Sequence, residues 1–209
     1  MGSVIEYLDR ADAERDRSRL RDFPRYLYLP NKLGHLQGYD RSGQYAGWLG
    51  RGYNAVATNI RKRDANDNPF FRDCDDAALD FRIHGLAARP ELTLDRLDRR
   101  LSLLDQFDAQ RRIRERSGAE RDFDEMRQRA LSLVSSEKMR AAFDIRRESA
   151  RLRDRYGRHL FGQSVLMGRR MLEAGARFVT VLWDAPDGYS WDSHRNSDDV
   201  RKHLLPGVD

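Results

Sequence analysis

The segment from Tyr156 to Trp183 constrains the fold more than any other part of the chain. Small and apolar residues recur three and four positions apart along its first half, which predicts an amphipathic helix. This stripe consists of Leu160, Phe161, Ser164, Val165, Gly168, Met171 and Leu172. Gly175 supplies a left-handed helix stop, and the apolar run that follows is typical of a parallel strand buried on both faces. These three features form half of an α/β unit, so the sequence predicts an α/β fold.

The rest of the chain is predicted to be mostly helical, with a few parallel strands. We expect Phe178–Trp183 to be the most buried strand, covered by residues 162–172 of the preceding helix. Two short strands are expected at Tyr26–Leu29, which lies between two prolines, and at Asp80–Ile83. Helices are expected over residues 1–20, 93–107 and 120–134, and from about residues 136 and 197 onward. The first helix has a short apolar face made of Val4, Ile5, Tyr7 and Leu8.

Residues 31–68 are predicted to form a long loop, because they are rich in glycine and polar residues and show no helical period. Four aromatic residues lie within this loop: Tyr39, Tyr45, Trp48 and Tyr53. Aromatic side chains at this density are typical of ordered segments, and we expect them to pack against the rest of the domain.

Length, charge and cysteine content limit the possible classes of protein. The 209 residues suffice for one domain, and the net charge of +5 comes from 39 basic and 34 acidic residues that alternate along the chain. This alternation is typical of a salt-bridged surface, so we expect no nucleic-acid partner. The single cysteine, Cys74, excludes an intrachain disulfide and a thiolate metal cage. No apolar run approaches the ~18 residues of a membrane span.

The sharpest candidate site is the block Trp191-Asp-Ser-His194, which follows the predicted buried strand. Asp192 and His194 are two residues apart, and in an extended loop both could reach one divalent ion. Asp184 and Asp187 are close enough in sequence to be further ligands. The alternative is a capping or loop-bracing pair without a metal.

Other polar residues are weaker candidates. Arg158 and His159 precede the strongest helix, where they could meet an anionic ligand or form a solvated first turn. Acidic neighbours raise the pKa of the Cys74 thiol, which argues against a nucleophile. The remaining histidines have no partner at metal-ligand spacing in the sequence: His35, His84 and His203.

Several blocks of sequence resemble, in order along the chain, the bacterial family called domain of unknown function 1501. These blocks are Tyr45–Tyr53, Arg96–Asp105, Ala141–Asp144, Arg153–Ser164, Glu173–Val179 and Trp191–His194. The resemblance implies a sulfatase-like protein with the alkaline-phosphatase-type α/β fold, in which Asp and His side chains bind divalent metals at the C-terminal ends of a parallel sheet. Asp192 and His194 match the family's Trp-Asp-Thr-His block, with Ser193 in place of the usual Thr, and would be ligands of zinc, manganese or calcium.

The resemblance also bears on the extent of the chain and its function. The family's N-terminal metal-binding segment and C-terminal histidine blocks have no counterpart in residues 1–209, so we expect one incomplete domain from a longer, exported or periplasmic protein. Two functions stay open. The parent protein is either a metal-dependent hydrolase of sulfate or phosphate esters or a non-catalytic binding or structural protein of the cell envelope. Its partner would be a sulfated or phosphorylated small molecule or glycan.

Overall fold

A computed structural model describes residues 1–16, 23–35, 38, 41–60, 62–64, 67–83, 137–183 and 200–205. The helices and strands, in chain order, are α1 (Gly2–Arg15), β1 (Tyr26–Leu29), β2 (Val56–Asn59), β3 (Arg82–Ile83), α2 (Glu137–Phe143), α3 (Ala150–Arg155), α4 (Leu160–Ala174) and β4 (Phe178–Val181). Short 3₁₀ turns lie at Ser42–Gln44, Gly47–Leu49, Arg51–Tyr53 and Ile145–Arg147, and a π-helical turn lies at Val200–Leu204. The helices predicted over residues 93–107 and 120–134 lie outside the described residues.

The described strands form one small sheet in the order β3-β2-β1-β4. Strand β1 pairs in parallel with β2 and with β4, and Leu27 is opposite Val56 on one side and Val179 on the other. Strand β3, which lies within the predicted span, pairs antiparallel with β2. The α/β prediction is therefore confirmed, with three parallel strands at the centre of the fold.

Strand β1 is the most buried strand, and the expectation that Phe178–Trp183 would be so is wrong. All four residues of β1 are buried, whereas all four residues of β4 are half-buried. The physical reason is position in the sheet. Strand β1 lies between β2 and β4, while β4 has a neighbour on one side within the described part of the chain.

Helix α4 covers β1 and β4, as predicted. A Cβ atom on Gly168 would lie 3.3 Å from Val181 Cγ2 and 3.5 Å from Val179 Cγ1, so a small residue lets the helix approach the strand closely. Gly175 ends the helix with φ at +122°, a backbone conformation that favours glycine. Two residues of the predicted stripe, Val165 and Leu172, are exposed, because Leu166 and Met167 occupy the centre of the buried face.

Polar side chains connect α4 to the shorter helices. The Arg170 guanidinium donates to the carbonyl oxygens of Ala141 (2.6 Å) and Ala142 (3.0 Å) at the end of α2 and pairs with Glu148. Gln163, which is fully buried, accepts from Arg153 Nε at 3.1 Å and donates to the Arg153 carbonyl at 2.9 Å. These bonds fix α2 and α3 against the helix that covers the sheet.

Helix α1 is present where predicted, but its apolar face is not the buried face. Val4, Tyr7 and Leu8 are exposed, and Leu8 keeps 55% of its surface accessible. The buried residues are small or charged: Gly2, Ser3, Glu6 and Ala13. Gly2 lies against the Tyr26 ring, and Asp9 Oδ2 accepts from Arg25 Nε at 2.7 Å. The helix therefore docks through close contact and ion pairing.

The segment from residue 41 to residue 60 contains more structure than the predicted loop. Strand β2 lies in it, preceded by three short 3₁₀ turns. Tyr53 packs as expected, with its ring centroid 5.4 Å from that of Tyr7 and the Arg10 guanidinium 4.1 Å above it. Trp48 does not pack, because 91% of its surface is exposed. Tyr39 lies outside the described residues.

In the described part of the chain, no helix combines the length and the hydropathy that a membrane crossing requires.

Candidate functional site at the carboxyl edge of the sheet

The three parallel strands end at the same side of the sheet, which we call the carboxyl edge. It consists of the residues at and just beyond the strand ends: Pro30, Asn31, Asn59, Ile60, Leu182 and Trp183. Leu182 N–H donates to the Leu29 carbonyl at 2.8 Å, so the β1–β4 ladder continues to this edge. Ligand sites in open α/β sheets concentrate at such an edge.

Asn31 joins β1 to β2 at the carboxyl edge. Its Oδ1 accepts a hydrogen bond from Ile60 N–H at 2.6 Å, and the residue is 1% exposed. A second bond is adjacent, from Thr58 Oγ1 to the Pro30 carbonyl at 2.6 Å. Among the described residues, Asn31 Nδ2 has no hydrogen-bond partner. The edge thus contains a buried amide whose oxygen is engaged and whose NH₂ group is available to donate.

Trp183 lies at the end of β4 within a group of aromatic rings. Its ring centroid is 4.7 Å from that of Phe161, 5.8 Å from Phe70, 5.7 Å from Phe71 and 6.0 Å from the His159 imidazole. This aromatic cluster fixes the point at which the chain leaves the sheet and enters residues 184–199.

The segment 67–76 holds the aromatic cluster in place. Asp67 accepts from Arg72 Nε at 2.5 Å and from Arg72 Nη2 at 2.7 Å, and the Arg72 guanidinium lowers the pKa of the Asp67 carboxyl. The backbone is tied to the start of α4, because Leu160 N–H donates to the Pro69 carbonyl at 2.9 Å. Phe70 and Phe71 are thereby presented to Trp183.

His159 is the N-cap of α4. Its Nδ1 accepts from Gly162 N–H at 3.2 Å, which requires a neutral ring with the proton on Nε2. Burial lowers the pKa of His159, against an opposing effect of the Asp73 charge. Its neighbour Arg158 donates to Asp154 Oδ1 at 2.5 Å. Both residues therefore have structural partners: His159 caps α4 and is half-buried, and Arg158 pairs with Asp154.

Cys74 is buried, and its pKa is raised, as the sequence predicted. The main cause is burial, with smaller contributions from the charges of Asp67 and Asp75. Its Sγ lies 3.4 Å from the Pro69 carbonyl oxygen. The thiol is a core group in a segment that supports the aromatic cluster.

The predicted metal ligands Asp192 and His194 lie outside the described residues, as do Asp184, Asp187 and His84. His35 is exposed, and the side chain of His203 is outside the described set. Within the ranges that the structure describes, no three His, Cys, Asp or Glu side chains come together to hold a metal ion. The described groups of the carboxyl edge are amides, a hydroxyl and aromatic rings, which alone do not fit a zinc or manganese site.

The sequence analysis missed Asn31 because asparagine after proline reads as a turn residue. It missed Gln44 for a similar reason. Gln44 Oε1 accepts from Leu33 N–H at 3.2 Å, the residue is 1% exposed, and Nε2 has no hydrogen-bond partner among the described residues. Neither amide is marked by a periodic pattern or a motif in the sequence.

The comparison with known families is decisive on one point. The sequence profile described as "Protein of unknown function (DUF1501)" matches residues 1–209, the whole chain. The chain belongs to the DUF1501 family. No curated protein and no solved structure matches it significantly. Membership in DUF1501 confirms the family that the sequence blocks resemble.

Proposed function

We propose that this DUF1501 chain is part of a metal-dependent hydrolase of sulfate or phosphate esters with the alkaline-phosphatase-like α/β fold. The supporting observation is topological. Strand β4 is parallel to β1, and the chain leaves it at Trp183, at the carboxyl edge, immediately before the segment that contains Asp192 and His194. Ligand sites of parallel sheets lie at this edge, so the position suits both side chains as metal ligands.

The roles follow from chemistry. Carboxylate oxygen and imidazole nitrogen are ordinary ligands of zinc and manganese, and a bound divalent metal neutralises charge on a sulfuryl or phosphoryl oxygen. The aromatic cluster around Trp183 fixes the point at which the chain leaves the sheet, before the segment that contains Asp192 and His194. Two side chains do not close a metal site, so Asp184 or Asp187 and groups from elsewhere in the protein would supply the further ligands.

A second candidate is a DUF1501 protein that keeps the fold, has lost the chemistry and serves recognition in the cell envelope. One observation favours it: the described part of the carboxyl edge offers hydrogen-bond donors and aromatic rings, and the described ranges contain no ligand cluster. Such a surface can bind a sulfated or phosphorylated small molecule or glycan without hydrolysing it.

Calorimetry with zinc and manganese separates these candidates. The parent protein should bind metal, and His194→Ala and Asp192→Asn should each weaken binding by about tenfold or more. His35→Ala is the matched control, because His35 is exposed and lies outside the proposed site. Unchanged metal stoichiometry and affinity in His194→Ala would remove this loop from the site.

Turnover of aryl sulfate and aryl phosphate esters then tests the hydrolase itself. The same His194→Ala substitution should abolish ester cleavage while leaving the melting temperature nearly unchanged, because a loop ligand contributes little to the core. A protein that binds these esters without cleaving them supports the recognition candidate.

A further inference from the structure

The buried amide of Asn31 has one fixed orientation. The hydrogen bond from Ile60 N–H at 2.6 Å requires the acceptor Oδ1 on that side, so the NH₂ group is on the other. This assignment does not depend on a choice between two equivalent rotamers, since the reversed amide would place two donors against each other. Nδ2 is therefore a donor at the carboxyl edge, held in place by the neighbouring strand end.

A buried donor without an acceptor is costly, and the partner that relieves this cost is an oxygen. Ligands of open α/β sheets bind at the carboxyl ends of the strands, so a ligand oxygen at this edge is one acceptor that can relieve the cost. Asn31 lies at the carboxyl edge, and its Nδ2 has no hydrogen-bond partner among the described residues. These are separate observations, and both favour a ligand at the carboxyl edge.

The charge of the surrounding sequence indicates which oxygen this is. The chain contains four lysines among 39 basic residues, and two of the four follow the ends of adjacent parallel strands. Lys32 follows Asn31 directly, and Lys62 lies two residues beyond Ile60, the residue bonded to Asn31. Lysine is a compact positive charge and a common phosphate binder. Lys32 is exposed, so it places a positive charge next to Asn31 at the end of β1.

We propose that Asn31 Nδ2 donates to an oxygen of a tetrahedral oxyanion, a sulfuryl or phosphoryl group, and that Lys32 attracts this group to the carboxyl edge. Asn31 is then a specificity-determining residue, since it selects an acceptor oxygen at one position. This inference rests on the proposed function for the class of ligand and extends it to residues of the described sheet.

Gln44 provides a matched control. Both amides are 1% exposed, both accept from a backbone N–H through the side-chain oxygen, and both have an NH₂ group without a hydrogen-bond partner among the described residues. They differ in location, because Gln44 belongs to a 3₁₀ turn before β2 and its carbonyl accepts from Ala55 N–H at 3.0 Å. Replacing each amide by the carboxylate keeps the acceptor and removes the donor.

The test measures inorganic phosphate and inorganic sulfate binding by calorimetry in protein treated with a chelator, so that no metal contributes. The unsubstituted protein should bind at least one of the two anions. Asn31→Asp should weaken binding by about tenfold or more, because a donor becomes a like charge, while Gln44→Glu should change it less than about twofold. Equal weakening in both variants, or none in Asn31→Asp, would overturn the proposal, as would the absence of binding to the unsubstituted protein.

A second measurement does not depend on the folding of any variant. In the unsubstituted ¹⁵N-labelled protein, phosphate or sulfate should shift the side-chain NH₂ resonances of Asn31 and leave those of Gln44 in place. An unmoved Asn31 resonance at saturating anion contradicts the assignment. Both anion measurements use metal-free protein. Their outcome is therefore independent of whether Asp192 and His194 bind a metal.

Discussion

Helices α1 and α4 lie against the same sheet, but α4 buries most of its apolar side chains, whereas α1 exposes most of its large ones. In α4, apolar residues meet the strands, and Leu160, Leu166, Met167 and Met171 are fully buried. In α1, the side toward the sheet consists of Gly2, Ser3, Glu6 and Ala13, while Val4 and Leu8 face solvent. The difference teaches that apolar spacing predicts that a helix forms, whereas the shape and charge of the docking surface decide which side is buried.

The largest expected effect comes from truncating the same residue type in the two helices. Leu166→Ala should lower the free energy of unfolding by about 2–5 kcal/mol, because it leaves a cavity between α4 and the sheet. Leu8→Ala on α1 should change it by less than about 0.5 kcal/mol, since that side chain is already mostly in solvent. Urea denaturation of both variants checks this comparison, and equal losses would show that α1 uses its apolar face.

The next effect concerns ion pairs. Asp9→Ala should cost about 1.5–3 kcal/mol of unfolding free energy, because the Arg25 side chain, 9% exposed, loses its charged hydrogen bond to the Asp9 carboxylate. On α4 the Arg169–Glu173 pair is 47% and 55% exposed, so Glu173→Ala should cost at most about 0.5 kcal/mol. Thermal denaturation at low and high salt measures both. A larger loss from Glu173→Ala would reverse the assignment of α1 as the helix docked by charge.

The smallest effect is the pH dependence of α4 through His159. Burial lowers the pKa of this N-cap in the folded state, so the unfolded chain binds the proton more readily. The contribution of His159 to stability is therefore complete above the unfolded pKa of about 6.5 and declines as pH falls below it. His159→Asn replaces the Nδ1 acceptor by a side-chain oxygen at the N-cap and removes this titration. The slope of stability against pH between 4 and 7 should flatten in the variant, and an unchanged slope would assign it to other groups.

The parts of the fold that sequence predicted well are those in which local signals agree with burial. Prolines on both sides mark β1, and the helix, glycine stop and apolar run predict α4 and β4 with their bounds nearly correct. The relative burial of β1 and β4 was not predictable from these signals, because it depends on strand order. That order joins segments more than a hundred residues apart in the chain.

Strand β2 and the carboxyl edge show why other parts were missed. The sequence Val56-Ala-Thr-Asn59 is short and lacks an apolar–polar alternation, and it becomes a strand because β1 offers it a parallel partner. Asn31 likewise becomes part of the candidate site only in the folded chain, where its Oδ1 accepts a hydrogen bond from Ile60 N–H just beyond the end of β2. The candidate ligands Asp192 and His194 were instead predicted from a sequence block and a family resemblance, without any geometry.

If Asp192 and His194 bind a metal at the carboxyl edge, as proposed, the ion lies near Asn31, Ile60 and Trp183. Manganese is paramagnetic, so titrating it into ¹⁵N-labelled protein reports distance from the ion through broadening of amide resonances. We predict strong broadening at Asn31, Ile60 and Trp183, weaker broadening at the amino ends of the same strands, at Tyr26, Val56 and Phe178, and loss of this gradient in His194→Ala. Equal broadening at both ends of the strands, or a gradient that persists in His194→Ala, would contradict the account.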